Sequence, residues 1–156
     1  MKAFQTIERN WIDFLLAFLA AATATYSMGM GLSYPPLGLF FVCGIAVGSF
    51  VSYSIFRMLG ALKWFEMLSI VLYVGFALAA MVISSKLNGS LPGGGFPREL
   101  SGSAGTLSWM LMLGSFVAWR DQTLLFQSIP RIALFGLVGA FNTFSGATIT
   151  FFVFML

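Results

Sequence analysis

The chain has 156 residues, of which 59% are hydrophobic and only 8% are charged, with a formal net charge of +3. A soluble domain of similar length carries about 25% charged residues, so the composition excludes an ordinary soluble fold. The apolar runs reach the roughly 20 residues that a helix needs to cross a bilayer, and the alternating pattern of barrel strands is not seen. The sequence therefore predicts an all-α, polytopic helical membrane protein with about five to six transmembrane helices.

Cysteine and histidine usage argues against catalysis within this chain. Cys43 is the single cysteine, and its place in an apolar run indicates a small buried residue. Histidine is absent, which removes the commonest ligand for haem iron, zinc and chlorophyll magnesium, and the usual general base. We expect no catalytic residue, no metal site and no evident cofactor, with lipid tails and carotenoids as the remaining ligands. The few basic residues indicate membrane topology and not nucleic-acid binding.

The apolar runs divide the chain into a polar start and a transmembrane bundle. Residues 1–10 form a polar segment, and the full-length apolar run that follows favours a retained signal-anchor over a cleaved signal peptide. Glycines and prolines predict a surface loop over 84–103. The bundle covers 11–156, and we expect its last span to be cut short at Leu156. The predicted spans are about 11–30, 37–56, 64–83, 104–119, 123–141 and 147–156.

Glycine spacing and tryptophan positions indicate how the predicted spans pack and where they end. Gly44 and Gly48 share one span, at a spacing that lets two helix backbones approach closely. The tryptophans fall near predicted span ends, where indole rings favour the headgroup region: Trp11, Trp64, Trp109 and Trp119. We therefore expect Gly44 and Gly48 to serve helix packing and the indoles to mark the two membrane surfaces.

Four charged residues lie close to the predicted span ends. Arg9 and Asp13 are four residues apart, and we interpret them as an interfacial ion pair on one helix face. Arg120 and Asp121 form a tight turn between the fourth and fifth spans. No further feature of Arg9 and Asp13 indicates a proton relay.

Arg131 has two interpretations. If the fifth helix begins at Asp121, Arg131 lies about 15 Å along it and must face a partner or a polar cavity. If Pro130 opens the true span at its first turn, Arg131 is instead an anchor that reaches the interface. Because proline is common at a helix start, we favour the second interpretation.

Basic residues are distributed unequally between the two sides of the predicted bundle. The side of the amino terminus holds five and the opposite side holds two: Lys2, Arg9, Arg57, Lys63 and Arg120 against Lys86 and Arg98. Cytoplasmic loops of membrane proteins carry the excess of lysine and arginine. We therefore expect an integral protein of the bacterial cytoplasmic (inner) membrane with a cytoplasmic amino terminus.

Residues 119–156 resemble the membrane region that precedes the catalytic domain of bacterial membrane-anchored transglutaminase-like proteins. The matching residues are Arg120-Asp121, Leu124-Leu125-Phe126, Ala133-Leu134-Phe135, Phe141-Asn142-Thr143-Phe144 and the apolar run from Ile149. Pro130-Arg131 departs from the mostly apolar helix of that family. The resemblance implies a papain-like Cys-His-Asp domain further along the protein and outside the membrane, and no residue of that triad can be placed in this chain.

Three functions are open at this point. The resemblance implies a non-catalytic anchor or scaffold, the front part of a longer transglutaminase-like protein. An accessory subunit of a respiratory or photosynthetic complex is the alternative, because the phenylalanine, methionine and small residues make faces suited to lipid tails, pigments or other integral membrane subunits. A small transporter or channel component would need ionisable residues in mid-span, and among the predicted spans only Arg131 qualifies.

Overall fold

The structure is a computed structural model that describes residues 2–59, 64–87, 98–118 and 121–141, with side chains over 11–58, 67–87, 101–118 and 123–140. These residues form five helices and no strand, so the all-α prediction is confirmed. The helices are α1 (Lys2–Gly31), α2 (Pro35–Leu59), α3 (Trp64–Leu87), α4 (Arg98–Ser115) and α5 (Asp121–Phe141).

Four of these helices are long and apolar enough to cross a membrane. Their candidate spans are Trp11–Gly31, Pro35–Met58, Met67–Leu87 and Thr123–Ala140. Large apolar side chains cover their outer faces, among them Phe50, Val74, Leu78, Leu125 and Ile129. An apolar surface of this extent is stable against lipid and not against water. The described chain is therefore a polytopic helical membrane protein.

Several helices extend beyond their predicted bounds. Residues 2–10, predicted as a separate polar segment, continue α1. The predicted loop over 84–103 is too long at both ends, because α3 runs to Leu87 and α4 begins at Arg98. Close to these ends, Thr106 Oγ1 donates a hydrogen bond to Ser84 Oγ, 2.7 Å away, and so joins α4 to α3. The predicted sixth span, 147–156, lies outside the described residues.

Helix α4 lies at the centre of the bundle and contacts all four other helices. Helices α1, α2, α4 and α5 enclose the main apolar core, which includes Ala24, Met28, Phe41, Leu111 and Leu134. Helix α3 packs mainly on α4. Helices α1 and α2 are antiparallel: the ring of Phe14, in the first half of α1, contacts that of Tyr53, in the second half of α2, at a centroid distance of 5.6 Å.

The predicted fourth span, 104–119, is corrected in both position and environment. Helix α4 begins six residues earlier, ends at Ser115 and is not among the four candidate membrane spans. Within residues 101–118 only Ser103 is exposed. The polar character of α4 is tolerated because its buried hydroxyls donate hydrogen bonds to carbonyls of the same helix, as Ser108 Oγ does to the Ala104 carbonyl at 2.9 Å. The described part of this helix, residues 101–115, is thus largely shielded from lipid by its neighbours.

Two single-residue expectations are wrong. Trp109, predicted at a span end, is the twelfth residue of α4. Its ring packs edge-on against Phe41, with centroids 5.4 Å apart, so its role is packing between α2 and α4. Cys43, predicted as buried, is exposed on α2, because its position falls on the side of the helix opposite the buried Phe41 and Ile45.

Helix α1 ends in a Schellman turn that carries a residue with positive φ. The Tyr34 amide donates to the Gly29 carbonyl at 3.0 Å, and the Ser33 amide donates to the Met30 carbonyl at 3.0 Å. Ser33 has a φ of 56°, the left-handed conformation that glycine adopts at this position in most such turns. Pro35 then opens α2 at the first helical position, where an amide proton is not needed.

Replacing Ser33 with glycine should therefore stabilise the protein. The substitution removes the steric cost of the left-handed conformation, and we expect the free energy of unfolding to rise by about 0.5–1 kcal/mol. Thermal unfolding in detergent measures the change. Ser54→Gly, in the interior of α2, is the control and should lower stability by a similar amount. A lower melting temperature for S33G would contradict the turn geometry.

Helices α1 and α2 approach each other closely at Gly29 and Gly38, and no sequence motif predicts this contact. A β-carbon at Gly29 would lie 2.6 Å from both the Cα and the N of Gly38, and one at Gly38 would lie 3.2 Å from the Cα of Gly29. Because the obstacle is backbone and not a flexible side chain, neither site can hold a side chain without moving a helix. Small residues at such contacts let membrane helices pack through their backbones.

Gly29→Ala should force α1 and α2 apart and lower the free energy of unfolding by about 1–3 kcal/mol. Gly75→Ala is the matched control, since no atom outside its own helix lies within 4 Å of a β-carbon there. Alanine at residue 75 should be neutral or stabilising by up to about 1 kcal/mol, because alanine favours helix more than glycine does. Equal effects of the two substitutions in thermal unfolding would refute the close approach.

Candidate functional site

Gly44 and Gly48 face α4 and leave room for its side chains. A β-carbon at Gly44 would overlap the Met112 side chain, and one at Gly48 would overlap Ser115 Oγ and lie 3.0 Å from the Phe116 ring. The space beside these glycines is thus filled by side chains of α4. Gly44 is beside Met112, and Gly48, one turn later in α2, is beside Ser115, about one turn later in α4. Helices α2 and α4 therefore run in the same direction.

The charged residues singled out in the sequence have different surroundings. Asp13 is exposed, near the beginning of the first candidate span. Arg120 and the side chains of Arg9 and Asp121 lie outside the described residues. Arg131 is the exception, because its side chain is only 7% exposed. Of the predicted charges that the structure describes, Arg131 alone is inside the bundle.

The interpretation in which Pro130 opens the fifth span is wrong. Helix α5 begins at Asp121 and contains Pro130 in its interior. Arg131 is the ninth of the 18 residues in the candidate span Thr123–Ala140, which places its Cα about 12–14 Å from either end. Proline is tolerated inside such a helix because neighbouring helices can satisfy the freed backbone groups. Arg131 therefore lies near the middle of the span and not at its edge.

Arg131 belongs to the inward face of α5. The buried positions recur every three or four residues along one side of the helix, at Thr123, Gln127, Pro130, Arg131, Leu134 and Val138. Large apolar residues occupy the opposite side, as at Leu125 and Ile129. Gln127 was missed in the sequence, where the available signal was polar residues repeated at a four-residue spacing.

Gln127 is the hydrogen-bond partner of Arg131. The guanidinium Nη2 donates to Gln127 Oε1, one turn earlier in α5, and Gln127 is 3% exposed. This bond orients the Gln127 amide with its carbonyl oxygen toward the arginine. Among the described residues, Arg131 Nε and Gln127 Nε2 are buried and have no hydrogen-bond partner. Both nitrogens are donors, so the centre holds more donors than acceptors.

Helices α3 and α4 close the other sides of this centre. The Tyr73 ring stacks on Phe126 of α5, with centroids 6.1 Å apart and planes inclined at 27°. Tyr73 is also close enough to Arg131 for an electrostatic interaction. A β-carbon at Gly114 of α4 would lie 2.9 Å from the Tyr73 ring and 3.1 Å from Gln127 Nε2. Gly114 therefore makes room for both side chains.

No described carboxylate neutralises Arg131. Among the described side chains Asp13 is the one carboxylate, and it is exposed on α1. Glu66, Glu99 and Asp121 each lie within the first three residues of a helix, and their side chains fall outside the described residues. Asp121 precedes Arg131 by ten residues, about 15 Å along α5. Within the described part of the chain, the guanidinium is an isolated buried cation.

The centre defined by Arg131, Gln127, Tyr73 and Gly114 is suited to binding an anion through its arginine. Arginine stays protonated and offers only donors, so it orients and neutralises an anionic group. In the part of the chain that the structure describes, no group of three histidine, cysteine or acidic side chains is placed to hold a metal ion.

Comparison with known proteins gives no relative for this chain. No protein-family model, no curated protein and no solved structure matches it. The functional argument therefore depends on the geometry of the bundle, and the transglutaminase-like resemblance stays a hypothesis.

Replacing Gln127 with leucine should destabilise the protein, because it leaves the Arg131 Nη2 donor buried without its acceptor. We expect the free energy of unfolding to fall by about 2–3 kcal/mol. In an Arg131→Met background the same substitution should cost about 1–2 kcal/mol less, since the donor has been removed. Unfolding of the two single variants and the double variant in one detergent measures the coupling. Strictly additive effects would show that the bond contributes nothing to stability.

Proposed function

We propose that this chain is a non-catalytic membrane scaffold: a helical bundle that anchors an attached domain or holds a place among other membrane subunits. The observation that carries the proposal is the distribution of side chains. In the described helices many hydroxyl groups, the Gln127 amide and the Arg131 guanidinium are buried, and large apolar groups cover most of the outer surface. Such a bundle is stable in lipid without offering a polar surface there, which is what an anchor or scaffold requires.

The outer face of helix α3 supports the proposal that this chain packs against other membrane subunits. It packs mainly on α4, and its outer face is a stripe of large apolar residues: Met67, Val71, Val74, Leu78, Met81 and Val82. A helix held on one side presents its remaining surface to lipid tails, carotenoids or helices of a partner. The partners that this surface suits are membrane lipids and other integral membrane subunits.

The narrower form of the proposal concerns what is anchored. The resemblance of residues 119–156 supports a transglutaminase-like protein, and its part up to Phe141 falls largely in α5. The catalysis of such a protein would belong to its papain-like domain. The excess of basic residues supports a bacterial cytoplasmic membrane and a cytoplasmic amino terminus. The antiparallel pairing of α1 and α2 agrees with that orientation, because it brings Arg57 to the level of Phe14, close to the beginning of the first candidate span.

A small transporter or channel component is the second candidate, and Arg131 is the observation that favours it. Ionisable residues inside membrane bundles often mark the route of a substrate or ion. Helix α5 also contains a proline next to that residue, as do many helices that line substrate sites in transporters. A single buried cation supports this function less directly than the apolar exterior supports a scaffold.

Purification in mild detergent from the native membrane separates these functions. A scaffold should copurify with other membrane proteins in a fixed ratio, or should have a native mass well above the 17.0 kDa of this chain with thiol-dependent activity in the additional part. The reconstituted protein should not move anions across liposomes. An isolated 17.0 kDa protein that transports anions, and loses this with Arg131→Met, would replace the scaffold with the transporter.

A further inference from the structure

The polar centre around Arg131 has more hydrogen-bond donors than acceptors among its described side chains. Arginine offers five N–H donors and glutamine two. Gln127 Oε1 accepts one of the arginine donors, whereas Arg131 Nε and Gln127 Nε2 have no partner among the described residues. Both side chains are more than nine-tenths buried. Because each unpartnered atom is a donor, the group that completes the centre must be an acceptor.

The group must also be negatively charged. A buried guanidinium without a counterion is strongly destabilised in a medium of low dielectric constant. The acidic residues of α3, α4 and α5 lie in the first turns of these helices, whereas Arg131 lies in the middle of the span Thr123–Ala140. A carboxylate or phosphate supplies both the charge and several acceptor lone pairs, and the planar guanidinium binds it through two parallel bonds.

We propose that Arg131 and Gln127 bind the oxyanion of a ligand, a carboxylate or phosphate group, between α3, α4 and α5. Tyr73 and Gly114 shape the site. The Tyr73 ring is held by its stacking on Phe126, and the absence of a side chain at Gly114 gives the Tyr73 ring and Gln127 Nε2 the space that they occupy. This assignment is independent of the scaffold function, because it names a ligand of the bundle interior and not a partner of its surface.

The ligand has two sources that the same chemistry would recognise: an anionic lipid or a small soluble oxyanion. The full chain, purified in mild detergent and stripped of lipid, is titrated with phosphatidylglycerol or oleate for the first source and with inorganic phosphate or acetate for the second. Diacylglycerol is the matched lipid control, since it has the same tails and no oxyanion. A ligand that binds the folded state raises the melting temperature in proportion to the logarithm of its concentration at saturation.

We expect one of the four oxyanion probes to raise the melting temperature, with no increase from diacylglycerol. Arg131→Met should weaken the apparent affinity at least about tenfold, because a charge-assisted hydrogen-bonded pair is lost. Lys86→Gln is the charge-matched control, since Lys86 is exposed at the end of α3, and it should keep the wild-type affinity. The proposal is overturned if no probe stabilises the wild type, or if both substitutions weaken binding equally.

Gln127→Glu tests the site without removing the arginine, and so it remains informative if Arg131→Met does not fold. A glutamate at residue 127 would place a carboxylate one turn before the arginine, the favourable order for such a pair in a helix. We expect the ligand-free melting temperature to rise and the increase caused by the oxyanion probe to be lost. An increase of wild-type size in Q127E would refute the site. Copurification with membrane partners should be unchanged in Q127E, because the scaffold function uses the outer surface of the bundle. The ligand site and the scaffold function are therefore tested independently.

Discussion

The packing of four helices around α4 is the contact on which the rest of the structure depends. In lipid the hydrophobic effect does not draw helices together, so association depends on close packing and on hydrogen bonds between them. Helix α4 provides both, through small buried residues such as Ala104 and Ser108 and through the bond from Thr106 to Ser84 of α3. Gly44 and Gly48 of α2 receive its larger side chains. A polar helix thus becomes the centre of a membrane bundle because its neighbours, and not lipid, surround it.

The position of the buried arginine follows from that arrangement. Arg131 and Gln127 point away from lipid because α5 turns its other side, with Leu125 and Ile129, outward. Gly114 of α4 lies where a larger residue would displace Gln127 or Tyr73. The interior of the bundle is therefore a place where polar groups are concentrated, and their distance from water gives each hydrogen bond and each unpartnered donor a large effect on stability. A scaffold and a ligand site are compatible in one bundle, because the first uses its exterior and the second its interior.

The class of fold and most of the helices could be predicted from the sequence, because bilayer thickness and hydropathy determine where spans are found. The failures have physical causes. The predicted bounds of α4 were wrong because a helix shielded by protein does not need an apolar surface. The predicted helix start at Pro130 was wrong because membrane bundles tolerate proline inside helices. The contact of Gly29 with Gly38 is tertiary and has no local signal. Of the candidate site, Arg131 could be predicted from the sequence, since a charged residue stands out in an apolar run. Neutral Gln127 and the small Gly114 are recognised as part of the site only from their three-dimensional proximity to Arg131 and Tyr73.

The polar character of α4 also constrains how the protein is made. Helix α4 is not among the segments that are apolar enough to cross a bilayer unaided, and each serine or charged residue that meets lipid raises the cost of insertion. One of its hydroxyls has a partner on α3, which precedes it in the chain: Thr106 Oγ1 donates a hydrogen bond to Ser84 Oγ. Packing against α3 therefore lowers the cost of placing α4 in the membrane, because it gives a polar group of α4 a partner other than lipid. Membrane integration and tertiary packing are in this way coupled at the centre of the bundle.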